Sequence, residues 1–186
     1  MIITITGKPC SGKGTVAKEF CKAYNFEYIC TGDMFRSFAK QFGYDDILTF
    51  QEQDPRVKQI DKLVDDKTTE IGLTRTNENI VIDSRMAWHF APNSFKVFID
   101  VDDTIAGIRL LGANRETEKT TTLEKAIESL KTRWNIENER YMELYNINNL
   151  NHENYDYIID SSKLTPEEIV EKIYKNYINF IKNKDN

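Results

Sequence analysis

Cysteine is scarce in this 186-residue chain: the three present, Cys10, Cys21 and Cys30, form no CxxC pair and cannot all pair with one another. Neither a disulfide framework nor a structural zinc site is therefore expected, and the thiols read as reduced. Long apolar runs are also lacking, since no stretch approaches the ~20 apolar residues that a membrane span needs. The opening run MIITITG is apolar from its first residue. It has neither a basic leader nor a small-residue cleavage site, so it reads as a buried strand and not as an export signal. A soluble, cytoplasmic protein without a membrane partner is expected. Positive charge is not in surplus either: 25 Lys and Arg stand against 30 Asp and Glu, a formal net charge of −5. Nucleic-acid binders usually carry the opposite balance. No nucleic-acid partner is expected, and an anionic ligand would have to be met by local positive charge. Internal repeats, low-complexity linkers and signs of a second domain are absent. A single domain over 1–186, expected as a monomer, is long enough to bury a full core.

Residues 2–6 alternate Ile and Thr without a breaker. Gly7 to Gly14 then make a glycine-rich turn into an amphipathic run, with Val16, Ala17, Phe20, Cys21 and Tyr24 at helical spacing. A short apolar stretch at 26–30 precedes a helical pattern from Asp33 to about Phe42. Asp54 and Pro55 predict a helix start, as N-cap and first helical residue, with Val57, Ile60, Leu63, Val64 and Ile71 as the stripe. The runs NIVID at 79–83 and FKVFIDV at 95–101 do not alternate cleanly with polar residues and read as buried parallel strands. A sustained helical stripe occupies 121–145, and YDYIID at 155–160 supplies a fifth strand. Thr165, Pro166 and Glu168 predict a capping box for a last helix, which is expected to fray over 180–186. The Asn-rich segment 146–154 carries no functional reading. Strands alternating with helices predict an α/β fold: a five-stranded parallel sheet, helices on both faces, and a ligand outside the carboxyl ends of the strands.

The chemistry begins at Gly7-Lys8-Pro9-Cys10-Ser11-Gly12-Lys13-Gly14-Thr15, which has the spacing GxxxxGK between a predicted strand and a predicted helix. Small residues there let consecutive backbone N–H groups converge on phosphate oxygens. The helix N-terminus adds positive potential, and Lys13 is placed to reach the β and γ phosphates of a nucleotide. The bland alternative, a glycine-rich turn with a surface lysine, does not explain both flanks. One departure stands out: Gly14 follows Lys13 and the hydroxyl comes only at Thr15. Thr15 is thus a weaker direct Mg²⁺ ligand than a hydroxyl next to the lysine would be, and the metal is expected to be held mainly by phosphates and water.

Of the 25 basic residues only 8 are Arg, and six of these sit in suggestive places. Thr31-Gly32-Asp33-Met34-Phe35-Arg36 follows the second strand, and a planar guanidinium there would grip a phosphate in bidentate fashion. Asp83 and Arg85 end the third strand, at the edge where a ligand would lie. Asp83 is a candidate for ordering a Mg²⁺-bound water, against the alternative of capping the next turn, and Arg85 is a candidate second clamp. Arg109 and Arg115 bracket a short segment that leads into a Glu/Thr/Lys-rich stretch of the kind mobile loops carry. Arg133 and Arg140 lie seven residues apart and so share a helix face. The alternative for that pair is solvation or pairing with a nearby Glu such as Glu137.

Taken in order, GKPCSGKGT, TGDMFR, VIDSR, LEKAIESLKTRWNIENERYMELYNIN and YDYIIDSSKL resemble the short, archaeal-type cytidylate kinases over nearly the whole chain. TGDMFR is also similar to a segment of adenylate kinases, which usually carry a longer lid. The resemblance implies a three-layer P-loop kinase fold with a helical acceptor-binding segment over 31–73 and a short lid over 109–122. It implies the reaction of ATP with CMP or dCMP to give ADP and CDP or dCDP, with Mg²⁺. It assigns the donor to the loop 7–15, the acceptor to Thr31, Gly32, Asp33, Arg36 and Arg85, and the transferring group to Lys13, Asp83, Arg115, Arg133 and Arg140. AMP and UMP stay open as acceptors, because no residue in the sequence can be assigned to reading the cytosine edge. A nucleotide-binding switch that hydrolyses ATP without an acceptor is a further alternative, against which the acceptor-side arginines argue.

Overall fold

A computed structural model of the chain describes residues 1–44, 55–112 and 122–184. Its sheet has the order β2 (Glu27–Cys30), β3 (Ile80–Asp83), β1 (Ile2–Gly7), β4 (Phe95–Asp100), β5 (Tyr157–Asp160), with every pair parallel. All of β1 and β3 is buried, as expected of strands covered on both faces.

The two layers of helix follow from the two-residue alternation of side chains along a strand. Ile3 lies in register with Val81 and Phe95, and Ile5 with Val97. This face packs on α1 (Lys13–Tyr24) and α7 (Pro166–Lys184) through Val16, Phe20, Ile169 and Ile173. The alternate positions Ile2, Ile80 and Ile82 turn the other way, onto Ile71 of α3 (Val57–Thr74) and Ala87 of the one-turn α4 (Ala87–Phe90). On that same side Phe98 meets Trp88 and Trp134, the latter from the long α6 (Leu123–Tyr145). α5 (Asp103–Gly112) packs against α6 through Ala106, Leu110, Ala126 and Leu130. α2 (Thr31–Gln41) leans on α3 through Phe35, Ala39, Ile60 and Val64.

Strand order reverses at β1: β2 and β3 are laid down on one side of it, β4 and β5 on the other. The crevice at such a reversal lies beyond the carboxyl ends of these strands. The glycine-rich loop, Asp83 and Asp100 all stand there.

Several boundaries differ from expectation. α2 starts at Thr31, not Asp33. α3 starts at Val57 with Arg56 as its cap, so Pro55 lies in a turn and not in the first helical turn. Asp54 lies outside the described residues. The last helix begins with the expected capping box: the Glu168 amide donates to Thr165 Oγ1 at 3.3 Å and the Thr165 amide to Glu168 Oε2 at 2.8 Å. It then continues to Lys184, because Phe180 and Ile181 pack on the core and the Phe180 ring sits 5.0 Å from that of Phe95. Fraying from 180 is thus not found. The Asn-rich segment proves structural. The side-chain oxygen of buried Asn149 accepts from the Trp88 indole at 2.7 Å and from the Tyr155 hydroxyl at 2.8 Å, and the Asn149 backbone N–H donates to Asn138 Oδ1 at 3.0 Å.

The approach of α3 to α4 rests on Gly72, where a Cβ would stand 2.8 Å from the Ala91 Cβ and 2.9 Å from its Cα. Backbone on one side and a packed sheet on the other leave little room to yield. Gly72→Ala should lower stability by about 1–3 kcal/mol in urea unfolding; an unchanged midpoint would show that the two helices separate freely.

Candidate active site

The loop after β1 has two left-handed residues, Cys10 (φ 58) and Gly12 (φ 84), which curl its amides toward a common centre. At Gly7 a side chain is impossible, because a Cβ would overlap the Ile99 carbonyl oxygen and come 2.8 Å from Ser11 Oγ. The Gly12 carbonyl opens α1 by accepting from the Val16 amide at 3.0 Å. Ser11 Oγ is buried and has no partner among the described residues. An orphaned hydroxyl inside a cup of amides fits a phosphate oxygen.

Lys13 turns from the start of α1 onto the carboxylate of Asp83, which is 3% exposed at the end of β3. The Tyr28 hydroxyl, from β2, donates to the other Asp83 oxygen at 3.0 Å. Burial, reinforced by the Asp83 charge, raises the Tyr28 phenol, so it stays a donor. Capping of the turn after β3 falls not to Asp83 but to Ser84, whose Oγ accepts from the amides of Met86 and Ala87 at 3.2 Å each. A Cβ at Gly14 would lie 3.2 Å from Asp83 Oδ2, so the carboxylate lies directly against the first turn of α1. Thr15 is exposed. Lys8 is paired with Asp100 at 2.8 Å.

Arg85 donates through one guanidinium nitrogen to the Gly7 carbonyl and through Nε to Glu137 at 2.8 Å, with Trp134 beneath it at 5.4 Å. Glu137 also accepts from Arg133 Nε at 3.2 Å. Burial would raise the Glu137 carboxyl, but the Arg85 and Arg133 charges outweigh it and hold the group below the usual range. The pairing of Arg133 with Glu137 is the plainer alternative weighed from the sequence. Its effect is nevertheless to bring a second guanidinium beside the loop. Arg109 lies on α5 and not in a loop; it donates to the Cys10 carbonyl at 3.3 Å, to Ser161 Oγ at 3.0 Å and to the Ser161 carbonyl at 2.7 Å.

Lys13, Asp83, Arg85 and Arg109 are therefore gathered around the loop, and Arg133 is tied to it through Glu137 and Arg85. Arg36 is held by Asp33 on its own helix, with Thr31 and Gly32 in the same first turn. Arg140 faces α3, where it pairs with Asp61 at 3.6 Å. Arg115 and most of the expected lid lie outside the described residues. Among the described residues no group of three His, Cys, Asp or Glu could hold a metal, and no helix is long and apolar enough to cross a membrane.

A family model described as an AAA domain matches residues 3–143. The cytidylate kinase of Methanocaldococcus jannaschii is 34% identical over 169 residues, 88% of this chain and 89% of that one. That of Methanosarcina barkeri is 31% identical, covering 92% and 93%. The chain belongs to the cytidylate kinase family. By family the chain is accordingly a phosphotransferase. An S-adenosylmethionine-dependent nucleotide dehydratase of Lacinutrix mariniflava is also 34% identical over 94% of the chain, but the chain spans only 35% of that protein. Shikimate kinase from Bacteroides thetaiotaomicron shares the P-loop kinase fold, with a TM-score of 0.63 at 16% identity over 98% of both chains.

Sequence reasoning did not single out Tyr28, Asp61, Asp65 or Tyr145. In this cytidylate kinase family member the last three join Arg140 in one cluster between α3 and α6: Asp61 pairs with Arg140, and the Tyr145 hydroxyl donates to Asp65. Burial pushes the Asp65 carboxyl up to about 6, the Asp61 charge adding to the rise while Tyr145 and Arg140 oppose it. Burial raises Asp61 too, against the pull of Arg140. For Asp65 the native state holds more protons than the unfolded chain between about pH 4 and 6, so its contribution to stability falls as pH rises through that window. Asp65→Asn should accordingly melt higher than the parent at pH 7.5, with the gap closing toward pH 4. A gap independent of pH in thermal melts would refute the assignment.

Proposed function

We propose that the chain transfers the γ-phosphoryl group of ATP to CMP or dCMP, giving ADP and CDP or dCDP. The observation that carries this reading is Glu137, which holds guanidiniums from two distant segments, Arg85 and Arg133, beside the loop that carries Lys13. A protein that only binds and slowly hydrolyses ATP has no need of that second set of cations. The names of the family members just described favour cytidine nucleotides over AMP or UMP.

Transfer between two phosphate oxygens asks for alignment and for neutralisation of spread negative charge, and needs no dedicated base. The loop 7–15, through its amides other than those of Lys8 and Ser11, which donate to the Ile99 and Lys8 carbonyls, and Pro9, which has none, holds the donor phosphates together with Lys13. Arg36 and Arg85 take the acceptor phosphate, with Thr31, Gly32 and Asp33 shaping that turn. Arg115 and Arg133 complete the ring of charge, and movement of 31–73 and 109–122 excludes water. Mg²⁺, carried in with ATP, supplies further neutralisation of its phosphates. Asp83, with Thr15, fits an outer position toward it, since the carboxylate lies against the first turn of α1, where Lys13 and Tyr28 are its partners among the described residues. We place the protein in the cytoplasm as a monomer acting on small molecules. The dehydratase activity in the Lacinutrix name is not carried over, because most of that protein lies outside the match.

An ADP-release assay with ATP and CMP, dCMP, UMP, AMP or GMP tests the proposal. CMP and dCMP should drive release far above the rate with ATP alone, and release independent of every acceptor would favour the switch. Lys13→Gln and Arg133→Ala should each lower kcat by about 100-fold; Arg133→Ala should melt within a few degrees of the parent, whereas Lys13→Gln, which leaves the buried Asp83 without its counter-charge, should melt lower and is assayed below its own transition. Turnover near the parent's would remove that residue from the mechanism.

A further inference from the structure

We infer that the cluster between α3 and α6 reads the base of the acceptor, with Asp61 and Arg140 together recognising an amino-bearing Watson–Crick edge. The inference rests on the kinase reading above and names the chemistry that selects its substrate.

Three observations converge. First, a cavity of about 340 Å³ opens beside the cluster, with Asp61, Lys58, Arg140 and Glu143 as its polar lining and Val57 and Leu144 among its apolar walls. Second, Arg140 Nε is buried and finds no partner among the described residues, although the same guanidinium pairs with Asp61. Third, Asp61 and Asp65 are partly buried, one helical turn apart, and share a single arginine and one tyrosine hydroxyl. The cluster therefore has a carboxylate in need of a donor beside a guanidinium in need of an acceptor.

A cytosine edge presents that complement: its exocyclic amine donates, and the adjacent ring nitrogen and carbonyl accept. A carboxylate accepting from the cytosine amine is an established mode of base readout. Uracil offers a carbonyl where the amine would be, so its oxygen would face Asp61 and leave the carboxylate with no donor. A ribose diol would satisfy both groups as well, since each hydroxyl donates and accepts; the comparison of CMP with dCMP distinguishes a sugar contact from a base contact.

Placement agrees. Arg133 and Arg140 lie on one face of α6, two turns and roughly 10 Å apart. An acceptor whose phosphate lies at the Arg85 and Arg133 end would run along α6 with its base toward Arg140. Arg140 then acts on the base and not on the transferring phosphate, unlike the role expected from its spacing with Arg133. Lys58 and Glu143, at the rim of the same cavity, are a cation and an anion that do not by themselves favour either base.

The test compares kcat/KM for CMP, UMP and dCMP at saturating ATP in the parent, Asp61→Asn and Arg140→Lys, with calorimetric titration of CMP and UMP in the absence of ATP. The amide of Asn can present a donor where the carboxylate cannot, so Asp61→Asn should lower the CMP:UMP ratio by about tenfold or more, mainly through KM, with the CMP:dCMP ratio unchanged. Arg140→Lys should weaken CMP binding in the titration without ATP, where a role confined to the transferring group would leave binding intact. An unaltered CMP:UMP ratio in an active Asp61→Asn variant overturns the inference and leaves the kinase reading standing. A change confined to CMP against dCMP also overturns it and assigns the cluster to the sugar. A parent active on no nucleoside monophosphate defeats the kinase reading. In that case preferential binding of CMP over UMP, lost in Asp61→Asn, would still support the base contact, and equal or no binding would overturn it.

Discussion

Asp83 is a carboxylate at 3% exposure in the middle of a parallel sheet, and its burial is tolerable only because Lys13 and Tyr28 both reach it. Breaking such a pair by removing one member commonly costs several kcal/mol, since the remaining charge has nowhere to go. The contact can form only because β1 and β3 are neighbours in a fixed register, with Ile5 opposite Asp83, so that the end of one strand faces the start of the helix that follows the other. It fixes the first turn of α1 over the sheet and thereby sets where the amides of the loop converge. Without that anchor the loop would be a glycine-rich turn of no particular direction.

A second feature shares the same physics. Several cations around the crevice carry a carboxylate of their own: Lys8 has Asp100, Arg36 has Asp33, Arg85 and Arg133 share Glu137, and Arg140 has Asp61. In a chain with a net charge of −5, these pairs keep the arginines oriented before any anion arrives. A phosphate that enters must compete with the resident carboxylate, so the affinity is the difference between two large electrostatic terms. Discrimination becomes sensitive to which pair is displaced, and pairs that lie farther from the loop, such as Arg140 with Asp61, are free to serve recognition and not catalysis.

The comparison of pattern with structure separates local from distant constraints. The glycine-rich loop was legible because its demands are local: a left-handed backbone at Gly12, no side chain at Gly7, and a lysine at the first helical turn. The strands at 79–83 and 95–101 were legible because a buried parallel sheet favours apolar runs that do not alternate with polar residues. Errors fell at element ends. Asp54 and Pro55 imitate a helix start, yet the helix begins at Val57, and the polar Lys/Asn tail hides Phe180 and Ile181, whose packing extends α7 to Lys184.

Composition, strand period and the loop spacing thus determined the fold class and the shape of the glycine-rich loop, because each is a property of neighbouring residues. Which carboxylate meets which cation was decided only by folding. Tyr28 and Asp83 are 55 residues apart, Arg85 and Glu137 52, and Tyr145 and Asp65 80. No local pattern encodes such distances, since they arise from strand order and from the way α6 lies across α3. The carboxylate–cation pairs around the crevice are therefore a product of topology, and they became visible only when the distant segments were brought into contact.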